Sequence, residues 1–111
     1  METIDYSAFE AVHMYVGTIL EASPNEKARK PAYKLRIDFG PLGQKSSSAQ
    51  LTEHYTPEQL VGMQVVAVLN FEPKRIAGVK SEVLVLAAVS EMEGTVLLQP
   101  TQPVPNGARI S

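Results

Sequence analysis

The chain has no cysteine and no tryptophan, and its Phe and Tyr residues number only three and four. Without cysteine, the sequence excludes a disulfide scaffold, a thiolate metal site and a cysteine nucleophile. It also lacks any run of about 18 apolar residues, which a membrane-spanning helix would need. Acidic Glu2 and Asp5 give the N-terminus the wrong charge for a signal peptide. We therefore expect a cytoplasmic protein without membrane insertion.

Residues that carry enzymatic chemistry are also few. The two histidines, His13 and His54, do not accompany a cluster of ligands at metal-binding spacing. The serine run Ser46–Ser48 has no base placed beside it and no G-x-S-x-G motif. The segment Gly40–Ser46 differs from a phosphate loop, because its glycines are three apart and a glutamine precedes the lysine. The sequence therefore predicts a non-enzymatic protein with no metal and no cofactor; a hydrolase or transferase that uses the serine run is the alternative.

Charge is distributed unevenly along the chain. The net charge is -2, from 10 Lys and Arg against 12 Asp and Glu, so the chain as a whole is not a strongly basic nucleic-acid binder. Residues 1–26 hold five acids and no base, whereas residues 27–50 hold six bases and one acid. Residues 74–80 add three more bases. This pattern predicts a local positive field, which suits either a nucleic-acid surface or an ordinary solvated face.

The hydrophobic pattern indicates one mainly β domain over residues 1–111, since 44% of the residues are apolar and 20% are charged. Strict alternation over 33–39 predicts a strand with a buried and a charged face. Thr56, Pro57 and Gln59 predict a capped short helix. The remaining predicted elements are a helix at 4–12, strands at 14–22, 44–51, 64–71 and 81–89, a short strand at 96–98 and an extended tail at 99–111. A small helix between the third and fourth strands is typical of the OB-fold, a five-stranded Greek-key barrel with short helices.

Four blocks carry a more specific resemblance: Lys30–Gly40, Ser47–Gln50, Val66–Gly78 and Ser81–Leu86. In these blocks the sequence resembles the CsaA-type export-related chaperones of the tRNA-binding-domain superfamily. The superfamily also includes the C-terminal domain of many bacterial methionyl-tRNA synthetases and the endothelial monocyte-activating polypeptide domain. The resemblance extends from about Phe9 to Gly107.

This resemblance implies a homodimeric OB-fold that binds tRNA without catalysis. For the CsaA type it also implies binding of unfolded or export-destined polypeptides, with the secretion machinery as a further partner. The alternative is a tRNA-binding accessory protein with little or no chaperone role. No cofactor is implied.

The resemblance also implies a set of nucleic-acid-binding residues, with Lys and Arg on phosphates and the polar side chains on base edges or ribose. These residues are Lys34, Arg36, Lys45, Ser48, Gln50, Asn70, Lys74, Arg75, Ser81 and Glu82. His13 and Tyr15 stand where the family usually has an acidic residue and an arginine, so one expected cation is missing. Phe71 is expected at the edge of a polypeptide-binding surface.

The C-terminal segment 94–111 suggests how the chain forms a dimer. Val96, Leu97 and Leu98 follow the last predicted barrel strand and need cover from solvent. A two-fold symmetric partner provides such cover, and the short N-terminal helix 4–12 cannot bury its apolar face alone. We therefore expect these three residues and that helix in a homodimer interface.

Overall fold

A computed structural model describes residues 1–111, and its centre is a five-stranded antiparallel sheet that curls into a nearly closed barrel. The elements in chain order are α1 (Tyr6–Glu10), β1 (Met14–Pro24), β2 (Tyr33–Asp38), β3 (Gln44–Ala49), α2 (Pro57–Leu60), β4 (Gln64–Val68), β5 (Lys74–Ile76), β6 (Val79–Ser81), β7 (Leu84–Val85), β8 (Ala87–Ser90) and β9 (Gly94–Leu97). The strand order is β3-β2-β1-β4-β7, and β3 contacts β7 where the barrel closes. With α2 between β3 and β4, the predicted OB-fold is confirmed.

The alternation of β2 sets the inside and outside of the barrel. Leu35 and Ile37 are buried in the core, whereas Lys34 and Arg36 are exposed on the outer face. Strand β1 is long enough to pair with β4 through its first half and with β2 through its second half. A glycine is required at position 17 of β1, because the backbone passes so close to Phe39 that a Cβ would lie 2.7 Å from its ring. The β1–β2 register shifts between Ile19 and Glu21, which indicates a β-bulge just after Gly17 and not at it.

The short helix α2 forms as the sequence predicts. Thr56 Oγ1 accepts a hydrogen bond from the Gln59 backbone N–H at 3.2 Å, and Gln59 Oε1 accepts one from the Thr56 N–H at 2.9 Å. This reciprocal capping box satisfies donors that a helix start would otherwise leave free. Leu60 is fully buried and joins the core. Gly62 follows with a φ of +93°, so the chain turns directly into β4.

Three predicted elements differ from the structure. The helix expected at 4–12 is confined to five residues of α1, and Ile4 and Tyr6 remain exposed because nothing in the chain covers them. The strand expected at 81–89 is divided among β6, β7 and β8, which belong to three different sheets. Pro73 and Gly78 predict a long hairpin loop at 72–79; this segment contains β5 and the start of β6, which pair with each other and are joined by a turn with positive φ at Ala77 and Gly78. We call residues 74–81 the hairpin.

The C-terminal tail is extended, as predicted, but it is also hydrogen-bonded along the outer edge of β1. This edge is free because β2 pairs with β1 only from Thr18 onward. The Val16 N–H donates to the Ala108 carbonyl at 2.9 Å, and the Ile110 N–H donates to the Met14 carbonyl at 2.9 Å. The tail therefore completes the sheet of its own chain.

Cover for the 96–98 segment comes partly from the chain itself. Strand β9 pairs with β8, and Leu97 is only 7% exposed because its side chain packs in the core. The expectation that all three aliphatic residues need a partner is therefore wrong for Leu97. Val96 and Leu98 are 40% and 44% exposed, so the expected dimer contact can involve these two side chains.

Neither helix is long or apolar enough to cross a membrane.

Candidate nucleic-acid interface

Two surface depressions meet at the hairpin. The first, which we call the basic groove, lies between residues 25–32 and the hairpin and has a volume of about 620 Å³. Its lining includes Lys27, Arg29, Lys30, Ser48, Gln50 and Ile76. The second, which we call the hairpin pocket, has a volume of about 270 Å³. Ser48 and Ile76 line both, so the two depressions adjoin.

The hairpin pocket gathers five of the predicted site residues from distant parts of the sequence. They are Ser48, Phe71, Lys74, Ser81 and Glu82. Phe71 is 52% exposed and Ile76 is 40% exposed, so the pocket offers apolar surface beside the Lys74 ammonium group. An exposed aromatic ring next to a cation can stack on a nucleotide base or contact an apolar side chain of a polypeptide.

The cations around the basic groove have no carboxylate partners. The one ion pair of the chain joins Lys80 Nζ and Glu82 Oε1 at 4.0 Å. Arg75 donates to the Gly78 carbonyl at 3.4 Å within the hairpin. No lysine or arginine between residues 27 and 74 forms an ion pair. Their positive field therefore extends into the basic groove and over the outer face of β2.

Strand register decides which of the predicted cations lie together. Lys34 faces Ser48 across β2 and β3, and it also lines a third depression with the hairpin residues Gly78 and Val79. Arg36 lies on the same outer face but lines none of these depressions. Lys45 is in register with the inward-facing Ile37, so it belongs to the opposite face of the sheet. The structure therefore separates Lys45 from Lys34.

Glu82 and Ser81 hold the hairpin against the free edge of β3. The Ser46 N–H donates to Glu82 Oε2 at 2.8 Å, and the Ser48 N–H donates to Ser81 Oγ at 3.2 Å. The Ser46 hydroxyl donates to the Lys80 carbonyl at 2.6 Å. Side chains thus satisfy strand-edge donors that a neighbouring strand would otherwise bond.

The carboxylate of Glu82 is stabilised in its ionised form. The hydrogen bond from the Ser46 backbone N–H lowers the pKa of Glu82, and the Ser46 hydroxyl, Lys80 and Lys45 lower it further against the opposing effect of burial. Glu82 therefore keeps its negative charge and its bond to Ser46 at neutral pH. Its direct role is to position the hairpin, in addition to any contact with a ligand.

Asn70 has a similar structural role at the end of β4. Its Nδ2 donates to the Ala11 carbonyl at 2.8 Å, and its Oδ1 accepts from the His13 N–H at 2.9 Å. It lines neither the basic groove nor the hairpin pocket. The rings of His13 and Tyr15 pack edge to face, with centroids 6.5 Å apart.

Lys27, Arg29 and Lys30 are not among the predicted site residues, although they belong to the basic middle of the chain. Their loop has no periodicity, so nothing in the sequence indicates which way it faces. The structure places all three on the basic groove, together with the predicted Ser48 and Gln50.

Comparisons with known proteins find relatives over nearly the whole chain. Residues 14–109 match the profile of the family described as "Putative tRNA binding domain". The structure of chaperone CsaA from Bacillus anthracis is 51% identical, with a TM-score of 0.94, over 99% of this chain and 100% of that one. The CsaA chaperone protein from Picrophilus torridus is 44% identical, with a TM-score of 0.91, over 98% of this chain and 100% of that one.

A methionine–tRNA ligase from Methanococcoides burtonii is 34% identical over 98% of this chain. The chain spans only 16% of that ligase, so the likeness concerns one domain of a much longer enzyme. The family match covers nearly the whole barrel and its C-terminal tail. The chain belongs to the tRNA-binding-domain family.

Proposed function

We propose that this protein is a non-enzymatic binding protein whose basic groove and hairpin hold the sugar–phosphate backbone of tRNA in the cytoplasm. The observation that carries the proposal is the convergence of Lys27, Arg29 and Lys30 on one groove without ion pairs. OB-folds bind oligonucleotides on the faces of their second and third strands and on the adjoining loops, which is where this groove lies. Family membership supports tRNA as the ligand.

The salt dependence of tRNA binding tests this proposal. Each lysine or arginine that neutralises a phosphate releases counterions, so its loss lowers the slope of log K against log salt by about 0.7–0.9. We expect Lys74→Ala with Arg75→Ala, and separately Lys27→Ala with Lys30→Ala, to weaken tRNA binding and to lower this slope. Filter binding between about 50 and 200 mM salt measures both quantities.

Arg109→Ala is the matched control, because this exposed cation lies on the tail beside Tyr15 and lines none of the three depressions. We expect its slope to equal that of the wild type. If the two double variants kept the wild-type slope, the basic groove would not be the tRNA site.

We propose a second function for the same protein, the capture of unfolded and export-destined polypeptides as a secretion-related chaperone. The support is the 51% identity to a CsaA chaperone over the whole of both chains, together with exposed Phe71, Ile76 and Leu84 around the hairpin pocket. A soluble protein that keeps such apolar side chains exposed has surface available for apolar segments of a client. If this second function is absent, the protein is a tRNA-binding accessory protein.

Suppression of the aggregation of an unfolded preprotein tests this second function. We expect Phe71→Ala to reduce suppression, because it removes the one aromatic side chain that lines the hairpin pocket. Met92→Ala is the control, since Met92 is 93% exposed and does not line the pocket. Equal suppression by wild type and Phe71→Ala would show that clients bind elsewhere. Adding tRNA to the assay then shows whether the two ligands exclude each other.

We also propose that the protein acts as a homodimer, with Val96 and Leu98 in the interface. Val96 on β9 and Leu98 directly after it are both exposed, on either side of the buried Leu97. The exposed Ile4 and Tyr6 near α1 are further apolar surface that a partner can cover.

A further inference from the structure

Asn25 is a buried polar residue in a loop of mostly exposed ones, with only 7% of its surface accessible. Its backbone N–H donates to the Ala32 carbonyl at 2.9 Å and closes the loop. Its Oδ1 accepts from the Lys27 N–H at 3.3 Å, and its Nδ2 donates to the Ile76 carbonyl at 3.3 Å. One side chain therefore both shapes the loop 25–32 and bonds it to the hairpin.

The bond from Asn25 to Ile76 joins the two walls of the basic groove. One wall carries Lys27, Arg29 and Lys30, and the other is the hairpin, which begins at Lys74. The two residues are 51 positions apart in the sequence, and theirs is the one hydrogen bond between the loop and the hairpin. A single buried amide therefore provides the direct hydrogen bond between the two walls.

We propose that Asn25 is a positioning residue for nucleic-acid binding, which fixes the loop cations relative to the hairpin before the ligand arrives. This inference rests on the proposed tRNA function. A loop that is already ordered in the free protein loses less conformational entropy when tRNA binds. The affinity for tRNA is therefore higher than it would be with a disordered loop. Asn25 itself touches no phosphate, because its amide is used within the chain.

The chemistry of the site requires an amide. Serine keeps an oxygen that can accept from the N–H two residues ahead, but it is too short to donate to Ile76. Aspartate has the size of asparagine and keeps the acceptor for Lys27, but it has no donor for the Ile76 carbonyl. Asn25→Ser is therefore the first test variant, since it breaks the bond between the walls without adding charge. Asn25→Thr, which also keeps a hydroxyl acceptor, cannot donate to Ile76 and adds no charge, is the second variant.

A double-mutant cycle separates positioning from a general loss of stability. We expect Asn25→Ser to weaken tRNA binding about three- to tenfold, the range that one hydrogen bond provides, with an unchanged salt slope because every cation is still present. In the Lys27→Ala, Arg29→Ala, Lys30→Ala background, Asn25→Ser should have no further effect, because the loop then has no cations to position. General destabilisation would weaken binding equally in both backgrounds.

Hydrogen exchange of the Ala28 amide, which donates to the Asn25 carbonyl, is the second readout in the free protein, and we expect faster exchange in Asn25→Ser. Faster exchange with unchanged tRNA affinity would overturn the inference, as would equal weakening in the two backgrounds. The same cycle with Asn25→Thr applies if the serine variant melts at a much lower temperature. If the wild-type protein itself showed no salt-dependent binding to tRNA, the proposed function would be wrong, which is a separate outcome.

Discussion

The bond between Glu82 and the edge of β3 gives the sharpest stability prediction. Glu82 Oε2 accepts from the Ser46 backbone N–H at 2.8 Å and lies 3.3 Å from the Ser46 hydroxyl. The side chain is 28% exposed, so solvent screens this bond only in part. The Lys80 partner is 56% exposed at 4.0 Å and contributes little.

The expected magnitude follows from what each substitution leaves behind. A hydrogen bond to a charged group contributes about 1.5–3 kcal/mol net, against about 0.5–1.5 kcal/mol for a neutral one. Glu82→Ala leaves the Ser46 N–H without its acceptor, and we expect a loss of about 2 kcal/mol in the free energy of unfolding. Glu82→Gln keeps an oxygen acceptor but not the charge, and we expect a loss of about 1 kcal/mol.

The pH dependence has a definite sign. The pKa of Glu82 in the folded chain is lower than the 4.5 of an unperturbed glutamate, so folding favours its ionised form. This contribution to stability is complete above pH 4.5 and is lost as the pH falls through the lower, folded pKa. We expect the stability difference between wild type and Glu82→Gln to be constant at neutral pH and to shrink below about pH 4.5.

Urea denaturation followed by circular dichroism, at neutral pH and at pH values below 4.5, measures these differences. Glu72→Gln is the matched control, because Glu72 is an exposed carboxylate that lines the same pocket without a hydrogen bond. We expect it to leave the stability unchanged. The reasoning would be refuted if Glu82→Ala were as stable as wild type, or if Glu82→Gln kept its full difference at low pH.

Two further predictions concern the barrel core and the dimer. Gly17→Ala should cost about 1–3 kcal/mol of stability in thermal or urea unfolding, because its Cβ would lie 2.7 Å from the ring of Phe39; a stable variant would show that β1 can move away. Val96→Glu with Leu98→Glu should give a folded monomer by sedimentation, because both exposed side chains are placed in the proposed interface. Leu97→Ala should instead lower the free energy of unfolding by about 2–5 kcal/mol, because Leu97 packs in the core. A double-glutamate variant that stays dimeric would place the interface elsewhere.

Much of the barrel could be predicted because its signals are local. Strand β2 alternates residue by residue, so its buried and exposed faces follow directly from Leu35, Ile37 and their charged neighbours. The capping box of α2 needs only Thr56 and Gln59, three positions apart. The strand at 81–89 was predicted wrongly, because an apolar run does not show where the chain leaves one sheet for another.

For the candidate site, the sequence alone determined its chemical character, with a basic middle, few aromatic residues and no catalytic constellation. It did not determine which face each cation occupies. That depended on the β2–β3 register, which separates Lys45 from Lys34, and on how the loop 25–32 folds. The tertiary structure also decided that Glu82 bonds to Ser46, 36 positions away, and that Leu97 is covered by its own chain. The physical reason is that periodicity and capping depend on residues a few positions apart, whereas register, barrel closure and loop docking depend on pairings between distant segments, which no local pattern specifies.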